Sequence, residues 1–289
     1  NVYAVDPAGN VSANYETLSF CFINPAENLA LNKTVEAGYT HAGVTAANGV
    51  DGDGNTRWYG EGGTQAQQWY YVDLGRYYQL SQIRVKGTNA FANHCIVQAR
   101  QEAPGTAAVK GDDTQWYTFY DATSITQETW LEWSVDAPAR YVRLKCVESI
   151  NYNAYGMGFY ELEVKASACQ DEYASIPTLN TPSATYPAGN NSVQLTLTAT
   201  DSKGVAVHRY RITDESGNVY VIDTDNSNHY TFTTATFTAN VKHTLTIQAM
   251  DKGAQLSTAQ TLEIGIFNPL INLALNKTCY AGHQTGNDA

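Results

Sequence analysis

The chain is short of positive charge, long apolar runs, paired cysteine motifs and helical periodicity, and each shortage excludes something. Lys and Arg total 17 against 28 Asp and Glu, a formal net charge of −11. An acidic surface repels phosphate backbones and anionic lipid, so nucleic-acid binding is not expected. No run approaches the roughly 18 apolar residues of a membrane-spanning helix, so no membrane insertion is expected in this segment. No secretory leader is expected within this segment. None of the five cysteines forms a CxxC pair, which argues against zinc. There is no GxSxG, HExxH or P-loop pattern, and the six histidines are scattered. The chain is therefore expected to be non-catalytic.

What is present is strand and turn composition. Apolar residues make up 43% of 289, and there are 20 tyrosines. That composition belongs to a folded, β-rich chain. At roughly 100–200 residues per domain, the length predicts about two domains. The opening Asn1-Val2-Tyr3-Ala4-Val5 reads as mid-strand, so the native start is expected upstream.

An internal repeat organises the rest. Asn28-Leu-Ala-Leu-Asn-Lys-Thr34 recurs unchanged at Asn272-Leu-Ala-Leu-Asn-Lys-Thr278, an offset of 244 (272 − 28). Asn24-Pro25 matches Asn268-Pro269, and Ala4-Val5-Asp6 aligns with Ala249-Met250-Asp251 after a one-residue gap. This period is too long for a solenoid and fits a two-domain unit within a larger tandem array. The division predicted is 1–27 as the end of a preceding domain, 28–166 as one domain, 167–175 as linker, 176–271 as a second domain, and 272–289 as the start of the next repeat.

In the second domain Val193, Leu195, Leu197 and Ala199 alternate with Gln194, Thr196 and Thr198, the pattern of a half-buried strand. Turn signals recur at Ser202-Lys-Gly204, Glu215-Ser-Gly-Asn218 and Asp251-Lys-Gly253. About seven short strands in roughly 95 residues indicate an antiparallel sandwich. Leu195-Thr-Leu-Thr-Ala-Thr-Asp201 and Thr244-Leu-Thr-Ile-Gln-Ala-Met-Asp251 resemble bacterial immunoglobulin-like or fibronectin type III-like modules. The stretch Val5-Asp-Pro-Ala-Gly-Asn-Val-Ser12 looks like the last hairpin of the same module. The resemblance implies a spacer role.

In the first domain five motifs follow in order: Asn28-Leu-Ala-Leu-Asn-Lys-Thr34, Val50-Asp-Gly-Asp-Gly-Asn-Thr-Arg-Trp58, Gln68-Trp-Tyr-Tyr-Val-Asp-Leu-Gly75, Ala139-Arg-Tyr-Val-Arg-Leu144 and Tyr160-Glu-Leu-Glu-Val164. Together they resemble the discoidin (coagulation-factor C-type) domain, in its form as a family-32 carbohydrate-binding module. The fold class expected is therefore all-β, a discoidin-like jelly-roll β-sandwich followed by an immunoglobulin-like β-sandwich.

Candidate residues follow from both readings. The run Asp51-Gly-Asp53-Gly-Asn55-Thr56 gathers oxygen donors around glycines, as a Ca2+ loop needs. The resemblance implies completion by Glu161 and a carbonyl near Lys33. The expected structural Ca2+ set is thus Asp51, Asp53, Asn55, Thr56, Glu161 and Lys33, against an ion-free turn. A sugar site needs an aromatic face beside polar groups that pair with hydroxyls. The loop candidates are Tyr39, His41, Tyr59, Glu61, Asn89 and Tyr155; Phe91, Asn93 and His94 lie in a further loop. Galactose-binding members of the family show Trp-His-x-x-Trp after the Asp-Gly loop. Here the run is Trp58-Tyr59-Gly60-Glu61-Gly62, with Tyr59 in place of His and Gly62 in place of the second Trp.

Trp58 and Trp69 are expected in the core and Trp116 in a later core strand. Of Trp130 and Trp133, at least one is expected at the surface. Alternation lets Cys95 and Cys146 face one core, as a disulfide or as two buried thiols; Cys21, Cys169 and Cys279 are not paired by the pattern. The function expected is a secreted, extracellular or cell-surface array that binds glycan or polysaccharide and adjoins neighbouring repeats or copies of itself. A structural fibre or stalk, and an accessory segment of a glycoside hydrolase, are the alternatives.

Overall fold

The computed structural model describes residues 2–16, 21–60, 65–89, 91–123, 128–148, 156–170, 176–187, 192–202, 206–223, 229–233, 237–266, 274–275 and 277–278. The chain divides into two compact units. One comprises 1–177 with 201–208 and 250–256; the other comprises 178–200, 209–249 and 257–289. Among the described residues no helix is long and apolar enough to cross a membrane.

The first unit contains β1 (Val2–Val5), β2 (Val11–Glu16), β3 (Thr34–Ala37), β4 (Trp58–Tyr59), β5 (Trp69–Gly87), β6 (His94–Arg100), β7 (Tyr117–Thr123), β8 (Trp130–Glu148) and β9 (Gly158–Gln170), with a short helix α1 (Ala107–Gly111). β1 and β2 form a hairpin of their own; the others run β4-β9-β5-β8-β6-β7, with β3 also on β5. The two 19-residue strands turn this one ladder into a sandwich. Residues 69–73 of β5 pair with β8, and 70–73 also take β3, while residues 78–86 pair with β8 and β9. The register breaks between Asp73 and Tyr78, where Gly75 takes a left-handed φ of 84°. A bulge bends a strand and re-aims its side chains. Tyr70, Val72 and Leu74 from one half then meet Leu80, Ile83 and Val85 from the other in one core, with Trp58, Val97, Val142, Leu144, Phe159, Leu162 and Val164.

Trp58 and Trp116 are fully buried, as the sequence indicates. Trp69 is buried too, but in a separate cluster with Tyr71, Trp116 and Tyr141 on the reverse of the sheet. Segment 101–116 supplies the cover there, and a buried arginine is part of the seal. Arg143 donates to the Gln98 side-chain oxygen, the Lys110 carbonyl and Asp113, and its guanidinium lies 4.6 Å from the Trp116 ring centre. Trp133 is buried, while Trp130 is 39% exposed under the Arg84 guanidinium, so the exposed member of the pair is Trp130.

Of the two alternatives for Cys95 and Cys146, the structure has the pair of buried thiols and not the disulfide. Cys95 and Cys146 do lie directly opposite each other, across β6 and β8, but both are buried thiols. The disulfide joins Cys21 to Cys169, the two ends of the sandwich. Burial, and then the neighbouring Cys146 sulfur, push the Cys95 thiol far up, so Cys95 is not poised as a thiolate. Cys279 lies outside the described residues, as does most of the second copy of the seven-residue repeat.

The second unit is built from β10 (Thr178–Leu179), β11 (Ser183–Thr185), β12 (Ser192–Thr196), β13 (Ala199–Thr200), β14 (Val207–Thr213), β15 (Val219–Asp223), β16 (His229–Thr233), β17 (Lys242–Asp251) and β18 (Gln260–Gly265), though the ends of β14 and β17 are grouped with the first unit. The sheets run β15-β14-β17-β18, β11-β12-β16 and β10-β13, antiparallel in the registers described. Val193, Leu195 and Leu197 are buried as their alternation indicates, although the strand breaks after Thr196 and resumes at Ala199. Tyr220 of one sheet meets Phe232 of another at 5.8 Å, and Phe237 packs against both, tilted to Tyr220 and edge-on to Phe232.

Candidate functional site

Two features gather at the loop ends of the first unit. The first is an aromatic and amide surface. β4 pairs with β9, placing Tyr59 opposite Gly158. The loop after β3 is stitched to it: the His41 amide donates to the Tyr59 carbonyl at 3.0 Å, and the Trp58 indole donates to Thr40 Oγ1 at 3.0 Å. The His41 and Tyr59 rings stack at 4.8 Å and 25°, and the Arg57 guanidinium lies 5.2 Å from the Tyr59 ring centre. Thr88 reaches the same place, its hydroxyl donating to the Gly158 carbonyl at 2.9 Å. Asn89, next in the chain, is exposed, as is Tyr39. Of the glycan candidates, Tyr39, His41, Tyr59 and Asn89 thus lie on β4 and the two loops braced against it and β9. Glu61 and Tyr155 lie outside the described residues.

A residue missed in the sequence holds this end rigid. Gln68 is buried, its amide nitrogen donates to the Gly60 carbonyl at 2.8 Å, and its amide oxygen accepts from the Met157 N–H at 2.9 Å. It therefore ties the chain just after Tyr59 to the chain just before β9. Buried backbone groups left unpaired cost about 1–3 kcal/mol each, and Gln68 satisfies two of them. The motif around Gln68 was visible in the sequence, but nothing in it distinguishes a buried cross-tie from a polar strand end. Phe91, grouped with loop candidates from the sequence, is a core residue, and His94 pairs with Asp121 across β6 and β7.

The second feature is the acidic loop. Asp51 accepts from the Asp53 N–H at 2.9 Å and from the Thr56 hydroxyl at 2.7 Å. Asp53 accepts from the amide and side chain of Asn55, and this holds its carboxyl below the usual range. The Gly52 N–H donates to Glu161 Oε2 at 3.0 Å, joining this loop to β9. Glu161 is buried, its other oxygen has no hydrogen-bond partner, and its carboxyl is pushed up to about 7, chiefly by burial, with Asp51 adding to the rise. Lys86 donates to the Gly54 carbonyl at 3.1 Å, so a cation already touches the loop. Asp51, Asp53, Asn55, Thr56 and Glu161 are thus linked as one assembly, whereas Lys33 is exposed and its amide serves the turn at Ala30. Among the described residues no three His, Cys, Asp or Glu side chains converge as a ready metal cage. An orphaned carboxylate oxygen beside two further carboxylates nevertheless fits a hard, oxygen-seeking cation.

Residues 32–159 match the F5/8 type C domain. No curated protein matches the chain. Among solved structures it is similar to chitosan-binding module 2, in complex with chitotriose, from a chitosanase/glucanase of Paenibacillus sp. IK-5, at 27% identity over 48% of this chain and 100% of that one, with a TM-score of 0.42. Module 1 of the same enzyme is 28% identical over 48% of this chain and 99% of that one, at TM-score 0.41. A fucolectin from striped bass (Morone saxatilis) serum is 17% identical over 50% of this chain and 49% of that one, at TM-score 0.40.

Proposed function

We propose that the first unit is a non-catalytic glycan-binding module and that its sugar site is the surface of Tyr39, His41, Tyr59 and Asn89. The observation that carries the reading is the Tyr59–His41 stack, held on loops that Gln68 and Thr88 lock to β9. An aromatic ring takes the C–H face of a pyranose, while imidazole and amide groups pair with its hydroxyls. Rigid support means little ordering is left to occur on binding. The net charge of −11 disfavours sulfated or uronic polymers and favours neutral or amino sugars.

The test is a glycan array followed by affinity electrophoresis of the full chain. Wild type should be retained by at least one neutral or amino-sugar glycan. Tyr59→Ala should weaken retention at least tenfold, about 1.4 kcal/mol, with an unchanged melting curve. Absence of retention on every glycan, or equal retention of Tyr59→Ala, would refute the site.

Ca2+ in this reading is structural and ties the acidic loop to β9, with Glu161, Asp51 and Asp53 as anionic donors and Asn55, Thr56 and the Lys33 carbonyl as neutral ones. A cation that binds only the folded state raises its stability with concentration. Millimolar Ca2+ should therefore raise the melting temperature of wild type, and excess chelator should reverse it, while Glu161→Gln should respond to neither. A wild-type melt indifferent to both would remove the ion from the account.

The repeat at offset 244 favours a second, compatible reading in which these units recur along an extracellular array. Weak sites repeated on one chain gain by avidity. The Cys21–Cys169 disulfide supports an oxidising, extracytoplasmic setting.

A further inference from the structure

The chain contains one turn design three times, in two different surroundings. In Asp6–Asn10, Asp214–Asn218 and Asp251–Gln255 the aspartate Oδ1 accepts the backbone N–H groups two and four residues on, at 2.8–2.9 Å. The residue three after each aspartate is left-handed: Gly9 at φ 85°, Gly217 at 85° and Ala254 at 60°. The first and third turns also correspond in sequence, Ala4-Val5-Asp6 with Ala249-Met250-Asp251, and in pairing, Val5 opposite Val11 and Met250 opposite Leu256.

Their burial is opposite. Met250 is fully buried, packed with Ala254 and Leu256 against Tyr117, Phe119 and Ala137, and the Gln101 N–H donates to the Gly253 carbonyl at 3.0 Å. These residues form a seat for a hairpin end within the first unit. Val5 and Val11 are each 60% exposed, and among the described residues β1 and β2 pair only with each other. A two-stranded hairpin with an exposed apolar pair is marginal alone in water.

We propose that residues 2–16 are a docking element whose partner is a second copy of the first unit, with Val5 and Val11 taking the places of Met250 and Leu256 on a Tyr117–Phe119–Ala137 seat. Ala8 then stands where Gly253 does. A Cβ at that point comes 1.9 Å from Nε2 at the far end of the buried Gln101 side chain, which must take another rotamer to admit it. The seat in the free chain is filled by its own tethered turn, whose high effective concentration keeps the wild-type chain monomeric. This inference does not depend on glycan binding.

The experiment vacates the seat in the full chain with Met250→Asp and Leu256→Asp, verified by rapid exchange of the Gln101 amide. Sedimentation velocity should then show dimers that grow with concentration and disappear on adding Val5→Asp. A vacated chain that stays monomeric, or dimers indifferent to Val5→Asp, would overturn the proposal. Should that variant not fold or not vacate the seat, a graft of residues 5–11 in place of 250–256 decides. Gln101 protection within about threefold of wild type supports it, and exchange more than a hundredfold faster overturns it.

Discussion

Arg143→Ala should destabilise the first unit by about 2–6 kcal/mol, from two buried acceptors left without a donor at about 1–3 kcal/mol each. The side chain is fully buried, and burial drives its guanidinium down to about 10, with Asp113 opposing the fall, so it stays charged at neutral pH. It is held by every face: Gln98 at 2.8 Å from Nε, the Lys110 carbonyl, Asp113 at 2.5 Å, and the Trp116 ring beneath. Alanine leaves the Gln98 oxygen and the Lys110 carbonyl without their donor and opens a hole under Trp116. Asp113 keeps Lys145 at 2.7 Å, which is why the loss stays below that of a bare buried carboxylate. All five tryptophans fall between Trp58 and Trp133, in the first unit. Urea unfolding followed by their fluorescence therefore reports that unit alone, which matters because two units need not unfold in one step. A loss under 1 kcal/mol would mean that Arg143 is not the seal between segment 101–116 and the sheet.

Reduction of the Cys21–Cys169 disulfide should cost a comparable amount. The bond closes a loop of 148 residues. The chain-entropy model gives about 5 kcal/mol for a loop of that size, and measured losses of native disulfides run about 2–5 kcal/mol. Cys169 lies in β9 opposite Tyr78, so the bond pins the segment that enters the sandwich to the strand that leaves it. The tryptophan-reported midpoint should fall on adding reductant, and Cys21→Ser should start low and show no further fall. Buried Cys95 and Cys146 carry no such link, so Cys95→Ala should not reproduce the reductant effect. A midpoint unmoved by reductant would show that the two ends are held by packing alone.

Arg143 and the Cys21–Cys169 pair are poorly legible in the sequence, for one physical reason. Alternation assigns a residue to a face but carries no information about what covers that face. It placed Cys95 and Cys146 on one side correctly, and they are opposite one another, yet the bonded cysteines are those brought together by the closing of the sandwich. In the same way Arg143 alternates with Val142 and Leu144 and reads as solvent-facing, but segment 101–116 folds over it. Gln68 was hidden likewise, because an amide that ties two loops is indistinguishable in a string from one that meets water. The core was legible because Trp58, Tyr70, Val72, Leu144 and Leu162 sit in ordered motifs whose pattern matches the pleat. Part of the proposed site was legible too. His41 and Tyr59 were named from separate loops, and the bond between the His41 amide and the Tyr59 carbonyl puts their rings in contact.

The proposed glycan site is tested most directly by an NMR titration of the full chain with the oligosaccharide that binds best on the array. Saturable shifts confined to the amides of residues 39–41, 59–60 and 88–89 are expected, and their loss in Tyr59→Ala. Shifts centred on Arg84 and Trp130 or on the second unit, or no shifts at saturating sugar, would contradict it.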